Sequence, residues 1–322
     1  MRFLTILLVI VASCFASYKY SPHHHADSPF KTLYMHLMPV PLLVDNHAPH
    51  GEEDALLTVP LPESLGALDW AGRFAGDHGH GDHAADVHGP ELAVYNLQIF
   101  QIAAILIILI AFSGVPAYLR TGKGDKVTKT MAGFCMWLKE DVVHPVMGDH
   151  FTHKFLPYFM GVFFFILFMN LLGLTPASAT ATASIYVTAA LALTTFLAMV
   201  ICGSVVQGPI AFWKNLVPHV PGLLWPLMFV VELIGLLVKP FALMIRLFAN
   251  MSGGHMVVLS FMGLLFFFAE KFGPSLGAAS APLAVGFAVF IMIIEGFVAM
   301  VQAYIFTQLS VIFVNAAVHP EH

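Results

Sequence analysis

The sequence predicts an all-α integral membrane protein with about five membrane helices and an interfacial helix beside them. Three observations predict it. Hydrophobic residues make up 58% of the chain and charged residues 10%, whereas a soluble domain carries about 25% charged residues. Residues 92–119, 155–213, 247–269, 272–294 and 296–320 contain no Asp, Glu, Lys or Arg, and each stretch exceeds the ~20 apolar residues that cross a bilayer. Finally, Arg246 lies within residues 233–269, where the only other such charge is Lys239. A guanidinium stays protonated at any physiological pH, and a permanent cation at membrane depth is tolerated mainly for function. The job this suggests is moving ions.

The elements follow in order. In residues 1–16, Arg2 precedes the apolar run 3–12 and then small residues, the layout of a secretory signal peptide with a cleavage point after Ala16. Val11-Ala12-Ser13-Cys14 also matches a lipoprotein cleavage box, a four-residue pattern of low specificity. Residues 17–94 are expected to form an external, poorly ordered tail. The first 94 residues hold 11 of the 19 acidic residues and 10 of the 17 histidines, which excludes a second membrane bundle there. His23, His24, His25, His78, His80, His83 and His88 could bind a metal outside the membrane, but their Gly/His/Asp-rich surroundings read as a solvated tail, and no metal is assigned.

Residues 95–317 form the expected membrane domain. Its first span is followed by Arg120, Lys123, Lys126, Lys129 and Lys139, which makes this loop cytoplasmic and puts the tail outside. Residues 127–150 are amphipathic, with Met131, Phe134, Cys135, Trp137 and Leu138 apolar between charged neighbours. They fit a helix on the cytoplasmic surface, or a solvated loop. The stretch 155–213 is long enough for two crossings, and the small residues 175–180 suggest the turn of a helical hairpin. Cys14, Cys135 and Cys202 show neither disulfide nor metal spacing.

Residues 223–269 would measure about 70 Å as one helix, more than twice the ~30 Å hydrocarbon core. Hydropathy allows either two spans cut near Lys239-Pro240 or one long, inclined helix. At 100° per residue Glu232, Lys239, Arg246 and Asn250 share a narrow arc, and Glu232 stands about 21 Å from Arg246 along it. His255 projects to about the opposite side, free to face a different neighbour. Glu295 and Gln302, seven residues apart, share a face of the last segment. A buried carboxylate and a buried imidazole can each exchange protons near neutral pH. Glu295 and His255 could therefore relay protons, whereas Arg246 could not.

Lys239-Pro240, then Arg246-Leu247-Phe248-Ala249-Asn250-Met251 and Gly254, then Gln302-Ala303-Tyr304-Ile305-Phe306 resemble the signature of subunit a of F-type ATP synthases. Phe168-Met169-Asn170-Leu171-Leu172-Gly173-Leu174 is similar to the family segment closing its third helix. The resemblance spans residues 94–315. It implies a stator beside a rotating c-subunit ring, with peripheral-stalk b subunits, the rest of the ATP synthase and membrane lipid as partners, no nucleic acid and no cofactor. It also implies that the last two helices are long and strongly tilted, and so favours the inclined helix. Two proton half-channels would flank the Arg246 position, with Arg246 attracting the ring carboxylate and blocking direct passage between them. Glu232 would belong to the cytoplasmic half-channel; His255 and Glu295, lined by Asn250 and Gln302, would form the outer one. The setting implied is a bacterial inner membrane, with the mature N-terminus outside and the C-terminus cytoplasmic.

Two departures matter. Many bacterial members carry Glu nine residues after the arginine and His seven before the glutamine, whereas His255 and Glu295 are exchanged here, an arrangement resembling mitochondrial members. Gly173 stands where some bacterial members have Asp, so no acidic role is carried to it. A phosphate-binding Gly-x-x-x-x-Gly-Lys-[Ser/Thr] loop is absent from the sequence, in keeping with phosphate chemistry elsewhere in the complex. A stand-alone transporter would favour internal repeats, and none is visible. A membrane metalloenzyme would draw on His144, His150 and His153, whose spacing fits no zinc pattern.

Overall fold

The computed structural model describes residues 2–20, 58–60, 91–93, 96–175, 181–217 and 224–319. The tail histidines lie outside these residues. Helix α1 (Arg2–Tyr20) takes in the segment expected as a signal peptide and continues past Ala16. Within the tail, β1 (Thr58–Pro60) and β2 (Glu91–Ala93) pair antiparallel, with Val59 opposite Leu92.

The rest of the described chain is helical: α2 (Asn96–Phe112), α3 (Val115–Thr121), α4 (Lys126–Trp137), a π-helical turn Leu138–Val143, α5 (His144–Gly173), a 3-10 turn Ala181–Ala183, α6 (Ile185–Gln207), α7 (Pro209–Asn215), α8 (Trp225–Phe272) and α9 (Pro274–Val318). Five segments are long and apolar enough to cross a membrane: Leu97–Thr121, Lys126–Gly173, Ile185–Gln207, Trp225–Phe272 and Pro274–Val318. This is an all-α multi-pass membrane architecture. In lipid, backbone amides and carbonyls must be satisfied within the chain, and helices do this without partners.

On α2 the spacing of Leu97, Phe100, Ala104, Ile107 and Ala111 buries one stripe, while Ile102, Ile105 and Leu109 point outward, the pattern of a helix with one protein face and one lipid face. Gly122, at φ 67°, ends α3 in the left-handed region and donates its N–H to Tyr118 O, a conformation glycine adopts without steric cost. The amphipathic run 127–150 is helical up to a kink at Gly148, whose φ of 69° leaves the helical region. Leu138 and Val142 enter the main core, and Met131, Phe134, Cys135 and Trp137 pack against it.

Residues 155–213 do form two helices with a break where expected, but they are not a closed hairpin. Helix α6 docks on α8 and α9, and α9 also packs along α5. The connection 174–184, with its own 3-10 turn, is long enough to step across a neighbour, whereas short loops force consecutive helices side by side. Long side chains bridge the gap: Tyr158 on α5 reaches Thr195 on α6 at 3.5 Å, and Thr195 Oγ1 lies 3.3 Å from Ser310 Oγ on α9.

Helix α8 runs unbroken for 48 residues through Pro240, which selects the single long helix over two short spans. Proline removes one backbone hydrogen bond and bends the axis. Here Leu236, Pro240, Leu243, Leu247 and Met251 are all buried in one stripe, so packing holds the helix on both sides of the defect. At 1.5 Å per residue α8 is about 72 Å long and the 45-residue α9 about 68 Å. Between them Gly273, at φ 95°, ends α8, and Pro274 opens α9, each in the position its backbone favours.

This turn sets an antiparallel register maintained along both helices. Ala269 meets Gly277, Phe261 stacks on Phe287 at 5.1 Å, and His255 meets Glu295. Asn250 then meets Gln302, and Lys239 stands over Phe313. The first rung is closed by size. A Cβ added to Gly277 would lie 2.5 Å from the Ala269 methyl, so a larger residue must part the helices. Gly277→Leu is expected to cost about 1–3 kcal/mol, the usual penalty of overpacking. Thermal unfolding of the purified protein in detergent checks this as a lowered midpoint.

Candidate functional site

Helices α8 and α9 carry two polar groupings, one on each side of Arg246. In the first, His255 Nε2 lies 3.5 Å from Glu295 Oε1, and the carboxylate is only 4% exposed. The pair is ionic when the imidazole is protonated. Glu295 fits because Gly254 has no side chain: a Cβ there would come within 2.7 Å of both the Glu295 carboxyl carbon and Oε1. One turn away Asn250 Nδ2 donates to Gln302 Oε1 at 2.7 Å, with Gln302 2% exposed. From α5, fully buried Asn170 donates through Nδ2 to Ala299 O at 3.4 Å, between Glu295 and Gln302 on α9.

Several polar atoms in this group are buried without a hydrogen bond among the described residues: Asn170 Oδ1, Glu295 Oε1 and Gln302 Nε2. Unpaired groups of this kind cost stability, so their concentration within two turns of α9 is hard to ascribe to packing. The arrangement offers a carboxylate that can take up a proton, an imidazole beside it that can pass one, and amides that can orient both.

The second grouping lines a cavity of about 390 Å³ bounded by α6, α7, α8 and α9. Glu232 and Lys239 face it from α8, Gln207 from α6, Asn215 from α7, and Asn315 and His319 from the end of α9. Asn215 Nδ2 donates to Gln207 Oε1 at 3.1 Å, and Gln207 Nε2 donates to Ala317 O at 2.6 Å. Glu232 and Lys239 form no ion pair with each other; the ammonium instead sits 5.7 Å from the centre of the Phe313 ring.

Arg246 stands between the groupings, about 10 Å along α8 from Lys239 and about 14 Å from His255. It is half-buried. Its Nη1 is buried and without a hydrogen-bond partner, and the ion pairs among the described residues do not include it.

The shared face of Glu232, Lys239, Arg246 and Asn250 thus runs past one cavity and into one polar cluster. His255, which by phase alone could face a different neighbour, meets the same helix as Asn250. The seam of α8 against α9 is centred on Leu247, Met251 and Gly254, with Asn250 and His255 about 70° to either side. Two side chains on opposite edges of one seam can both reach α9. Of the candidate zinc ligands, His144 Nε2 contacts Asp149 Oδ1 at 2.7 Å, and the described residues hold no cluster of three metal-ligating side chains.

Comparison with known proteins places these features in a family. The family model described as ATP synthase A chain matches residues 98–315. That span runs from α2 to near the end of α9 and holds Arg246 with both groupings except His319. The chain belongs to the ATP synthase A chain family. It is 40% identical over 249 residues to the ATP synthase subunit a of Chloroherpeton thalassium, covering 73% of this chain and 72% of that one. It is 35% identical over 281 residues to that of Anaeromyxobacter sp. (strain Fw109-5), covering 80% and 67%. With ATP synthase subunit a 2 of Chlorobaculum tepidum it shares 37% identity over 244 residues, covering 72% and 67%.

For this ATP synthase A chain member, sequence reasoning had singled out every charged residue of the two groupings on α8 and α9. It missed Asn170 and Gly254 as parts of the outer group, and Gln207, Asn215, Asn315 and His319 as cavity lining. Asn170 and Gln207 are the amides of the uncharged stretch 155–213, and that was a signal for both; Gly254 acts through what it lacks.

The Asn250–Gln302 contact can be tested by a double-mutant cycle. Asn250→Leu alone strands the buried Gln302 amide in the seam, at about 1–3 kcal/mol, whereas Gln302→Leu leaves only the exposed Asn250 without its acceptor and costs less. The double variant is expected to lose less than the sum, as read from unfolding midpoints of the purified protein.

Proposed function

We propose that this chain is the membrane stator of an F-type ATP synthase and provides two proton half-channels beside a rotating c ring. The observation that carries this reading is the position of Arg246, a half-buried permanent cation between two separate polar groupings on one long helix. His255 and Glu295, with Asn250, Gln302 and Asn170 around them, form the outer half-channel. The cavity bearing Glu232 is the cytoplasmic one.

In this reading a proton enters past the His255/Glu295 pair and is handed to a ring carboxylate, which turns neutral and moves into lipid. After a near-complete rotation the same carboxylate reaches the Glu232 cavity and releases its proton. Arg246 then holds the ionised carboxylate by charge attraction, and because it keeps its own proton it cannot pass one between the channels. Each charge moved through 100 mV supplies ~2.3 kcal/mol, so several steps must accumulate before ATP can be made. The phosphate chemistry belongs to other subunits.

The lengths of α8 and α9 support strong tilt, since helices of about 70 Å fit a ~30 Å hydrocarbon layer only when steeply inclined. Inclined helices can follow the curved wall of a ring. The basic loop 120–139 favours a cytoplasmic location for itself and, by alternation of the spans, for the C-terminus. The tail 17–94 is then external, at the inner membrane of a bacterium, and b subunits of the peripheral stalk hold the stator against rotation.

Arg246→Ala is expected to abolish ATP-driven proton pumping in inverted membrane vesicles, while the detached catalytic head still hydrolyses ATP at the wild-type rate. Retained coupled pumping would overturn the role given to this residue. For the outer pair, the exchange His255→Glu with Glu295→His is expected to restore more pumping than either single substitution. Equal loss in all three variants would mean that the two side chains do not share a task.

A further inference from the structure

The apolar N-terminal segment has the layout of an export signal, yet it is seated in the fold by contacts a transient leader does not need. Helix α1 docks along α2. Ile6, Val9 and Ile10 pack on the core formed by Leu97, Phe100, Ala104 and Ile107. Ser13 and Ser17 are buried in the same stripe, and Phe3, Leu4, Leu8, Val11 and Phe15 turn outward. Small residues one turn apart allow two membrane helices to approach closely. The Ser13 hydroxyl adds no cost, because it donates to Ile10 O within its own helix.

The two ends are specific. Arg2 donates through Nη1 to Thr128 Oγ1 and lies 3.6 Å from Asp125 Oδ2. Asp125 is the only acid between Arg120 and Lys139, so the guanidinium finds the one carboxylate in a basic loop. A side chain at Gly114 would run into the Arg2 guanidinium, so that glycine completes the seat. At the far end Cys14 Sγ is 3.6 Å from Thr175 Oγ1, just beyond the end of α5. Between the contacts at Arg2 and Cys14 α1 rises about 18 Å, and its 19 residues measure about 28 Å in all, close to the ~30 Å hydrocarbon thickness.

We propose that this segment is a signal anchor: it directs the chain to the membrane as a leader would, and then stays attached as a sixth membrane helix. It clamps α2 between the basic loop and the end of α5. Cleavage after Ala16, or before Cys14, would detach Arg2 and the Ile6–Ile10 contacts. A leader needs only a generic positive charge at its start. The seat built from Gly114, Asp125 and Thr128 suits one guanidinium at one depth.

Mass spectrometry of the subunit from the purified membrane complex tests retention. Peptides covering residues 2–16 are expected; a chain starting at Ser17, or at a lipid-modified Cys14, would overturn the proposal. Docking is tested by Thr175→Cys with the native Cys14. Mild oxidation with copper phenanthroline is expected to link the two in most chains, seen as a joined peptide pair and absent in a Cys14→Ser control. A retained N-terminus without that link would overturn the seating. Gly114→Leu, which fills the space of the guanidinium, is expected to lower the yield of the link severalfold; an unchanged yield would show that the Arg2 seat does not hold the helix.

Discussion

The register between α8 and α9, fixed at the Gly273–Pro274 turn, is the constraint on which the rest of the structure depends. Two helices of 48 and 45 residues leave the turn antiparallel and meet at successive rungs down to Lys239 and Phe313. Shifting one helix by a single residue would rotate its whole set of side chains by 100°. His255 would then lose Glu295, and Asn250 would lose Gln302. Since hydrocarbon supplies no solvent to stabilise a stranded polar group, the polar rungs oppose such slippage. The small residues at Gly277, Ala269 and Gly254 let the rungs close in the first place.

This register also explains why the charge along α8 is divided rather than continuous. Near the turn, α9 presses closely on α8, and a carboxylate survives there only by lying over a glycine, Glu295 on Gly254. Farther from the turn, α6 and α7 join the other two, and the four helices enclose a cavity into which Glu232 and Lys239 project. Arg246 falls where one packing regime gives way to the other. It is half-buried with Nη1 unpaired, so its charge has no compensation within the described chain.

Much of this was legible in the sequence, for physical reasons that differ from element to element. Charge is so costly in lipid that a sequence without Asp, Glu, Lys or Arg over 20 or more residues announces a span, and the few charges left inside announce the site. The periodicity of α8 put Glu232, Lys239, Arg246 and Asn250 on one face because that face is real over the whole helix. Features set by tertiary geometry were not legible. Periodicity is relative to a helix's own axis, so it could not show that α9 would straddle the seam and gather Asn250 and His255 together. Hydropathy counted two crossings in 155–213 but says nothing about which neighbour a helix chooses. The continuity of α8 through Pro240 rests on the buried stripe from Leu236 to Met251, whose partners come from distant parts of the chain.

The exchanged placement of carboxylate and imidazole gains meaning from Gly254. With Glu on α9 and His on α8, the group lying over the glycine is a carboxylate, whose end is three heavy atoms wide and can be received by a space one Cβ would fill. An imidazole at position 295 would bring a rigid five-membered ring to the same place. The two facing positions are therefore not equivalent in the space they offer. The placement is coupled to the shape of the seam at the Gly254 rung. Gly254, His255 and Glu295 thus pack as one unit of three residues: the glycine leaves room for the buried carboxylate, and the imidazole, 19% exposed, takes the edge of the seam.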